Sequence, residues 1–109
     1  MAEIITVYWR DIPAQIIAKK GRKKVKRMLS RRFQEAVDRA AMRAGKGSSD
    51  AYLSEWRRER GPCDGDLEAV VQAEADRLEQ LYSDDKLLQL VRAKGVDQDL
   101  ARNSHEEAP

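Results

Sequence analysis

The side chains that most often carry covalent or acid–base chemistry are few in this chain. Cys63 is the only cysteine and His105 the only histidine. Cys63 lies in a Gly-Pro-Cys-Asp-Gly turn, where neighbouring aspartates disfavour the thiolate, and His105 lies in a polar C-terminal segment. No Ser–His or Cys–His pair has a plausible scaffold, and no P-loop, dinucleotide fingerprint or zinc-ligand spacing is found. The sequence therefore predicts no catalytic residues, no bound metal and no cofactor.

One pair of carboxylates has a spacing that could serve acid–base or metal chemistry. Glu35 and Asp38 are three residues apart and would be neighbours on a helix surface. Because Arg31, Arg32 and Arg39 surround them, we interpret the pair as part of ion pairing on the helix surface.

The strongest chemical signal is a dense run of basic residues. Between residues 19 and 32, nine of fourteen positions are Lys or Arg and none is acidic. On a β-hairpin, alternate side chains project from one face at intervals of about 6–7 Å, which suits contacts to successive phosphates. We expect Lys20, Arg22, Lys24 and Lys26 to share such a face. The full set of candidate anion- or nucleic-acid-binding residues is Lys19, Lys20, Arg22, Lys23, Lys24, Lys26 and Arg27.

Two other interpretations of the basic run stay open. Lysines on an edge strand prevent edge-to-edge aggregation. Alternatively, the basic run could pair with the chain's own acidic part, because residues 1–63 carry 16 Lys and Arg against 7 Asp and Glu, whereas residues 64–109 carry 5 against 12. Surface ion pairs contribute only about 0–1 kcal/mol each, so this pairing would orient the two parts more than hold them together.

The second candidate site is an aromatic and basic cluster. Tyr8, Trp9 and Arg10 could form a stacking surface for a base, a pterin or an aromatic partner, with a cation–π gain of about 0.5–2 kcal/mol. In the competing interpretation, which we favour, Trp9 fills the core and Tyr8 lies on the opposite face of a strand. Tyr8, Trp9 and Arg10 remain the candidate partner-binding residues.

The elements that carry these residues follow from hydrophobic periodicity. Residues 3–9 alternate as a strand does, and residues 14–20 resume the pattern after Pro13 interrupts it. Residues 23–29 fit a third strand if Ser30 caps the following helix, although their spacing also fits one continuous helix. Helices are then predicted over residues 31–44, 50–60 and 66–82, with a fourth after Ser83 that ends at Gly95.

These elements predict an α+β fold, with a short antiparallel sheet of two or three strands followed by about four helices. A length of 109 residues suits one domain, which we expect over residues 1–96, with an acidic helical part at 64–96 and a flexible polar tail at 97–109. The apolar runs are too short for a signal peptide or a membrane span. We therefore expect a cytoplasmic protein without membrane contact.

Three stretches carry a family resemblance: ITVYWRDIPAQ at residues 5–15, RRFQEAVDRAAMR at 31–43 and DAYLSEWR at 50–57. They resemble the bacterial virulence factor domain, a small domain that also occurs in conserved virulence factor C proteins. The resemblance covers residues 4–60 and leaves out the acidic helices. Family members often have proline where this chain has Ser30, which implies a break there. The resemblance implies no catalytic residues and hints at an assembly role.

We therefore predict a non-catalytic, cytosolic accessory protein that binds another macromolecule, foremost a protein, through the basic hairpin face. Nonspecific RNA or DNA binding through residues 19–32 is one alternative. A small enzyme or accessory subunit of a folate- or corrinoid-linked methyl-transfer system is another, and it rests on the resemblance alone.

Overall fold

The computed structural model describes residues 2–45 and 52–97. Neighbouring strands are all antiparallel and form one sheet in the order β3-β2-β1-β4. The prediction of an α+β fold is confirmed. In chain order the elements are β1 Ala2–Trp9, β2 Ile12–Lys20, β3 Lys23–Met28, α1 Arg31–Arg43, β4 Trp56–Pro62, α2 Leu67–Leu81 and α3 Asp84–Arg92.

The fourth strand is the main departure from the sequence prediction. Tyr52 and Leu53 are helical, but the helix predicted over residues 50–60 is wrong from Trp56 onward, because Trp56–Pro62 pairs with β1 along its whole length. The apolar spacing of Tyr52, Leu53 and Trp56 suggests a longer helix, yet Leu53 is 62% exposed. Without β4, the β1 edge would leave a row of backbone groups unpaired, and satisfying them outweighs local helix propensity. Residues 46–51 lie outside the described residues.

The first three strands lie close to their predicted positions. Lys23–Met28 is a strand, which decides between the two interpretations of this segment. β2 begins at Ile12 and includes Pro13, where the prediction had a break. The register shifts here, since Val7 pairs with Gln15 and Tyr8 pairs with Pro13. Such a bulge is one of the places where a strand tolerates proline.

Ser30 occupies the N-cap position of α1, as predicted, but its side chain makes no capping hydrogen bond. Its backbone N–H and its hydroxyl both donate to the Glu79 carboxylate, at 2.7 and 2.8 Å. Ser30 therefore ties the start of α1 to the end of α2.

The two faces of the sheet differ in character. On one face, Ile4, Ala18 and Val25 form a row that packs into the main core beneath α2. We call the opposite side the outer face. Ile5 and Ile17 at its centre are buried but lie outside the main core cluster. The cross-strand rows of the outer face are Lys24, Lys19, Glu3 and Pro62; Lys26, Ile17, Ile5 and Arg60; and Met28, Gln15, Val7 and Arg58.

Helices α1, α2 and α3 cover the core: α2 lies on one face of the sheet, and α1 and α3 lie toward the end of the sheet. α2 packs over β2 and β3, and α1 packs against α3 and β2. Along α2, Leu67, Val71, Ala75 and Leu78 are buried, whereas Leu81 near its end is 59% exposed. None of the helices within residues 2–45 and 52–97 is long and apolar enough to cross a membrane. Residues 98–109, most of the predicted tail, lie outside the described residues.

Candidate interaction surface

The basic hairpin exists, but its side chains divide between the two faces of the sheet. Lys24 and Lys26 project from the outer face together with Lys19, whereas Lys20 pairs with Lys23 on the side of α2. The prediction that Lys20 shares a face with Lys24 and Lys26 is therefore wrong. The turn between β2 and β3 contains two residues, so positions three apart oppose each other across it and share a face.

Strand β4 adds two arginines to the outer face that sequence reasoning assigned to a helix end. Arg60 lies opposite Ile5, and Arg58 lies opposite Val7. Residues 57–60 are all charged, so they lack the apolar alternation that predicts a strand, and no local signal was available. The basic residues of the outer face are Lys19, Lys24, Lys26, Arg58 and Arg60.

Most hairpin cations lack a carboxylate partner. Glu3 is the acidic residue of the outer-face rows, and it accepts Lys19 at 3.2 Å and Arg60 at 3.0 Å. By contrast, Arg10, Arg32 and Arg57 each pair with a carboxylate from a distant part of the sequence. Within residues 2–45 and 52–97, no ion pair is found for the following hairpin residues: Lys20, Arg22, Lys23, Lys24, Lys26 and Arg27.

Among the described residues, the ion pairs between the acidic helices and the basic half of the chain are made by Arg32 and not by the hairpin cations, although α2 packs over β2 and β3. The Arg32 guanidinium donates to the Glu79 carboxylate at 3.1 Å, to the Glu79 carbonyl at 2.6 Å and to Asp84 at 3.3 Å. It also donates to the Tyr82 carbonyl. Burial opposes ionisation of Glu79, but the hydrogen bonds from Ser30 and Arg32 outweigh it and lower the pKa of Glu79. These contacts satisfy carbonyls at the end of α2, where basic side chains are favourable.

The second candidate site is closed by its own contacts. Trp9 is fully buried, and its indole N–H donates to the Tyr52 carbonyl at 2.9 Å. Gly95 packs so closely on this ring that an added Cβ would lie 2.8 Å from Trp9 Cζ3. Trp9 therefore fills the core, as the competing interpretation requires.

Arg10 and Tyr8 are also engaged within the chain. Arg10 donates to the Lys94 carbonyl at 2.9 Å and to Glu55 at 3.3 Å, and its guanidinium lies 5.3 Å from the Trp9 ring centroid. Arg57 lies 4.4 Å over the Tyr8 ring. An incoming ligand would have to break these contacts to use Tyr8, Trp9 and Arg10.

The resolved pKa shifts do not favour acid–base catalysis. Burial, with the charge of Glu59, raises the pKa of Tyr8. Burial, with the charges of Tyr8, Asp97 and Asp11, raises the pKa of Tyr82 to about 12. The pKa of Glu79 moves the other way, below its usual value. Each shift carries its group further from neutral pH, whereas a general acid or base works best with a pKa near the working pH.

The remaining candidates have ordinary surroundings. Glu35 pairs with Arg31 at 3.1 Å, and Asp38 accepts from the Gln34 amide at 3.1 Å. Cys63 is half-buried with a free thiol. In the part of the chain that the structure describes, no group of three or more His, Cys, Asp or Glu side chains could hold a metal ion.

Comparisons with known proteins identify the family. No curated protein and no solved structure matches the chain. The family profile described as virulence factor matches residues 7–91. This match extends beyond residue 60, so it takes in α2 and all but the last residue of α3, which the resemblance of residues 4–60 had left out. Basic hairpin and acidic helices are thus parts of one family unit, and the chain belongs to the virulence factor family.

Proposed function

We propose that this protein is a non-catalytic accessory protein that binds an acidic protein partner through its basic hairpin and outer face. The observation that carries the proposal is the set of hairpin cations without a carboxylate partner in residues 2–45 and 52–97. Because long-range attraction from such a surface speeds and orients encounters with an anionic partner, these residues suit binding better than they suit folding.

The register of the hairpin adds to this argument. Lys19 lies directly opposite Lys24, and Lys20 lies directly opposite Lys23. Like charges directly opposite each other destabilise a strand pair, where opposite charges would contribute roughly 0.2–1 kcal/mol. Glu3 offsets the charge of Lys19, whereas no ion pair is found for Lys20, Lys23 or Lys24 within residues 2–45 and 52–97. Departures from a local stability rule are expected at functional sites.

A protein partner is favoured over a nucleic acid by the apolar content of the outer face. Its three rows carry exposed Met28 and half-exposed Val7 among the cations. The aromatic residues of the adjoining row, Trp9 and Trp56, pack in or against the core. Single-stranded nucleic acids are held largely by base stacking on aromatic rings, worth about 1–3 kcal/mol per base. Nucleic-acid binding here would rest on phosphate contacts alone.

Charge-neutralising variants with a matched control test the proposal. Lys24→Gln/Lys26→Gln removes two hairpin charges, and Arg39→Gln/Arg92→Gln removes two exposed charges from α1 and α3. Each protein is titrated at low salt with a glutamate-rich peptide, with single-stranded RNA and with duplex DNA. We expect salt-sensitive binding of the acidic peptide that only the hairpin variant loses.

Three outcomes would contradict the proposal. Absence of peptide binding at low salt would remove it, and equal loss in both variants would mean that net charge alone governs binding. Tight binding of RNA or DNA without peptide binding would favour the alternative that this surface binds nucleic acid. Capture of a partner from native lysate, with and without nuclease, separates the same classes. The one-carbon alternative and the cytoplasmic location stay predictions.

A further inference from the structure

The outer edge of β3 offers backbone groups for another strand. β3 is the last strand of the sheet on its side. The Leu29 N–H donates to the Ala14 carbonyl at 3.0 Å. Together with the register, this bond shows that Lys23, Val25 and Arg27 direct their backbone hydrogen bonds toward β2. Antiparallel strands alternate their bonding direction, so the N–H and C=O groups of Lys24, Lys26 and Met28 point away from the sheet. None of these groups has a partner among residues 2–45 and 52–97.

A groove runs between this edge and the first half of α2. Two adjoining cavities of about 360 and 570 Å³ share Val25, Asp66 and Glu68 in their walls. Leu67 and Val71 contribute apolar wall at either end of the groove. These volumes fall within the range of about 300–1,000 Å³ that is usual for binding sites. The backbone of an extended peptide beside β3 would form hydrogen bonds with the strand, and every second side chain of the peptide would lie in the groove.

We propose that an extended acidic segment of a partner protein adds to β3 as a fifth strand of the sheet. This inference rests on the proposed function and specifies its partner. Main-chain hydrogen bonds to the free edge would supply affinity, and the alternating side-chain environments would supply specificity, as in other cases of strand addition.

Charge complementarity fixes the pattern that the segment must have. Side chains opposite Lys24 and Lys26 would lie on the outer face, where glutamate or aspartate is favoured. The side chain opposite Val25 would enter the groove against the apolar walls of Val25, Leu67 and Val71, and the carboxylates of Asp66 and Glu68 there already have Lys23 and Arg27 on the facing wall. The segment therefore alternates acidic and apolar residues, and a slip by one residue would move every acid into the groove.

The same lysines exclude a second copy of this chain as the occupant. Pairing β3 with β3 of another molecule would set a lysine-rich strand against a lysine-rich strand, and opposed like charges are destabilising. Lysines on an edge thus block self-association while they admit a strand of opposite charge.

Peptides of one composition distinguish strand addition from general charge attraction. A short labelled peptide that alternates glutamate and valine is compared with a peptide of the same residues arranged in blocks. A third version carries N-methyl groups on the amides that would face β3. We expect the alternating peptide to bind most tightly, and each lost hydrogen bond to weaken binding by roughly two- to tenfold. Equal affinities for all three peptides would overturn strand addition.

Two substitutions at one position test the edge from the protein's side. Lys26→Gln and Lys26→Pro remove the same charge, but only proline removes the outward N–H. Proline is tolerated on an edge strand where its N–H would face solvent, and circular dichroism checks the fold. We expect the proline variant to bind the alternating peptide roughly two- to tenfold more weakly than the glutamine variant.

Hydrogen exchange on the unmodified protein gives a readout that does not depend on any variant folding. Bound peptide should slow exchange of the Lys24, Lys26 and Met28 amides. Unchanged exchange, with salt-sensitive peptide binding retained, would overturn strand addition and leave the proposed function intact. Failure of every acidic peptide to bind would overturn both.

Discussion

The basic hairpin and the turn around Trp9 are both rich in charge, yet they use it in opposite ways. At the turn, Arg10 pairs with Glu55, while Asp11 accepts Arg57 at 3.1 Å and the Asp97 N–H at 2.6 Å. In the hairpin, Lys24 and Lys26 have no ion-pair partner in the described part of the chain. Charged residues that have no partner within the fold therefore indicate a binding surface. Charged residues that pair with one another form a structural cluster.

The contrast implies that substitutions in the two regions act on different quantities. At the turn, a substitution removes buried surface and hydrogen bonds, so the free energy of unfolding falls. In the hairpin, a substitution removes a charge that interacts with solvent and with like charges. The free energy of unfolding therefore changes little, whereas the affinity for the partner falls.

The largest expected effect is on stability at the turn. Trp9→Ala removes a fully buried ring and the indole donor to the Tyr52 carbonyl. Truncating a buried aromatic residue costs about 3–5 kcal/mol. Urea unfolding followed by circular dichroism measures the change, with Lys24→Ala as a control that should stay within about 0.5 kcal/mol. A Trp9→Ala variant as stable as the parent would remove the distinction between the two regions.

A smaller effect is expected where the basic and acidic halves of the chain meet. Arg32→Ala removes hydrogen bonds to Glu79, Asp84 and the carbonyl groups at the end of α2. We expect a loss of about 2–3 kcal/mol, because hydrogen bonds from a charged donor are individually worth about 1.5–3 kcal/mol and these are partly exposed.

The matched control for Arg32 lies on the same helix. Arg39 is exposed, and Arg39→Ala should change the unfolding free energy by no more than about 0.5 kcal/mol. Arg32→Lys should restore only part of the stability, since an ammonium group cannot reproduce the planar set of guanidinium donors. Equal midpoints for the alanine variants at positions 32 and 39 would show that the halves are not held together at Arg32.

Local periodicity was enough to predict the strands up to Met28 and the helices around Phe33, Leu78 and Leu90. The first strand and these three helices each have an apolar pattern of one period, so the burial that stabilises them is visible within a few residues. The third strand was ambiguous because its basic residues fit either period. The break at Ser30 resolved it correctly.

Features that depend on distant residues could not be predicted in the same way. β4 is stabilised by pairing with β1, which lies about half the chain away, and that partner is invisible in a local window. The partners of Arg10 are 45 and 84 residues distant in sequence, so the closed state of this cluster could not be inferred either. The division of the hairpin lysines between two faces, by contrast, followed from a two-residue turn and was available from the sequence.

A pH titration tests how tightly the closed region is built. The pKa of Tyr82 is raised to about 12, chiefly by burial and then by the charges around it, whereas an unfolded tyrosine titrates near 10. Between about pH 10 and 12 the folded protein therefore binds more protons than the unfolded chain, and its stability falls as pH rises.

Tyr82→Phe removes this contribution and should flatten the decline, while the residual slope from Tyr8, whose pKa is also raised, remains. Thermal midpoints measured across the window check the expectation. An unchanged slope in Tyr82→Phe would mean that the phenol titrates as if it were exposed, and that this end of the fold is more open than its contacts indicate.

The smallest expected effect on stability belongs to the hairpin, and it has the opposite sign. Lys24→Gln/Lys26→Gln removes the repulsion between Lys24 and Lys19, which lie directly opposite each other, so we expect the unfolding free energy to stay constant or to rise by up to about 0.5 kcal/mol. Acidic-peptide binding measured on the same samples should be lost. If the double variant is clearly less stable than the parent, these lysines support the fold. The hairpin could then no longer be distinguished from the turn around Trp9 as a surface kept for binding. If stability rises while binding disappears, the hairpin keeps a small local instability in return for affinity, because the charges that repel each other in the free protein are neutralised together by the partner.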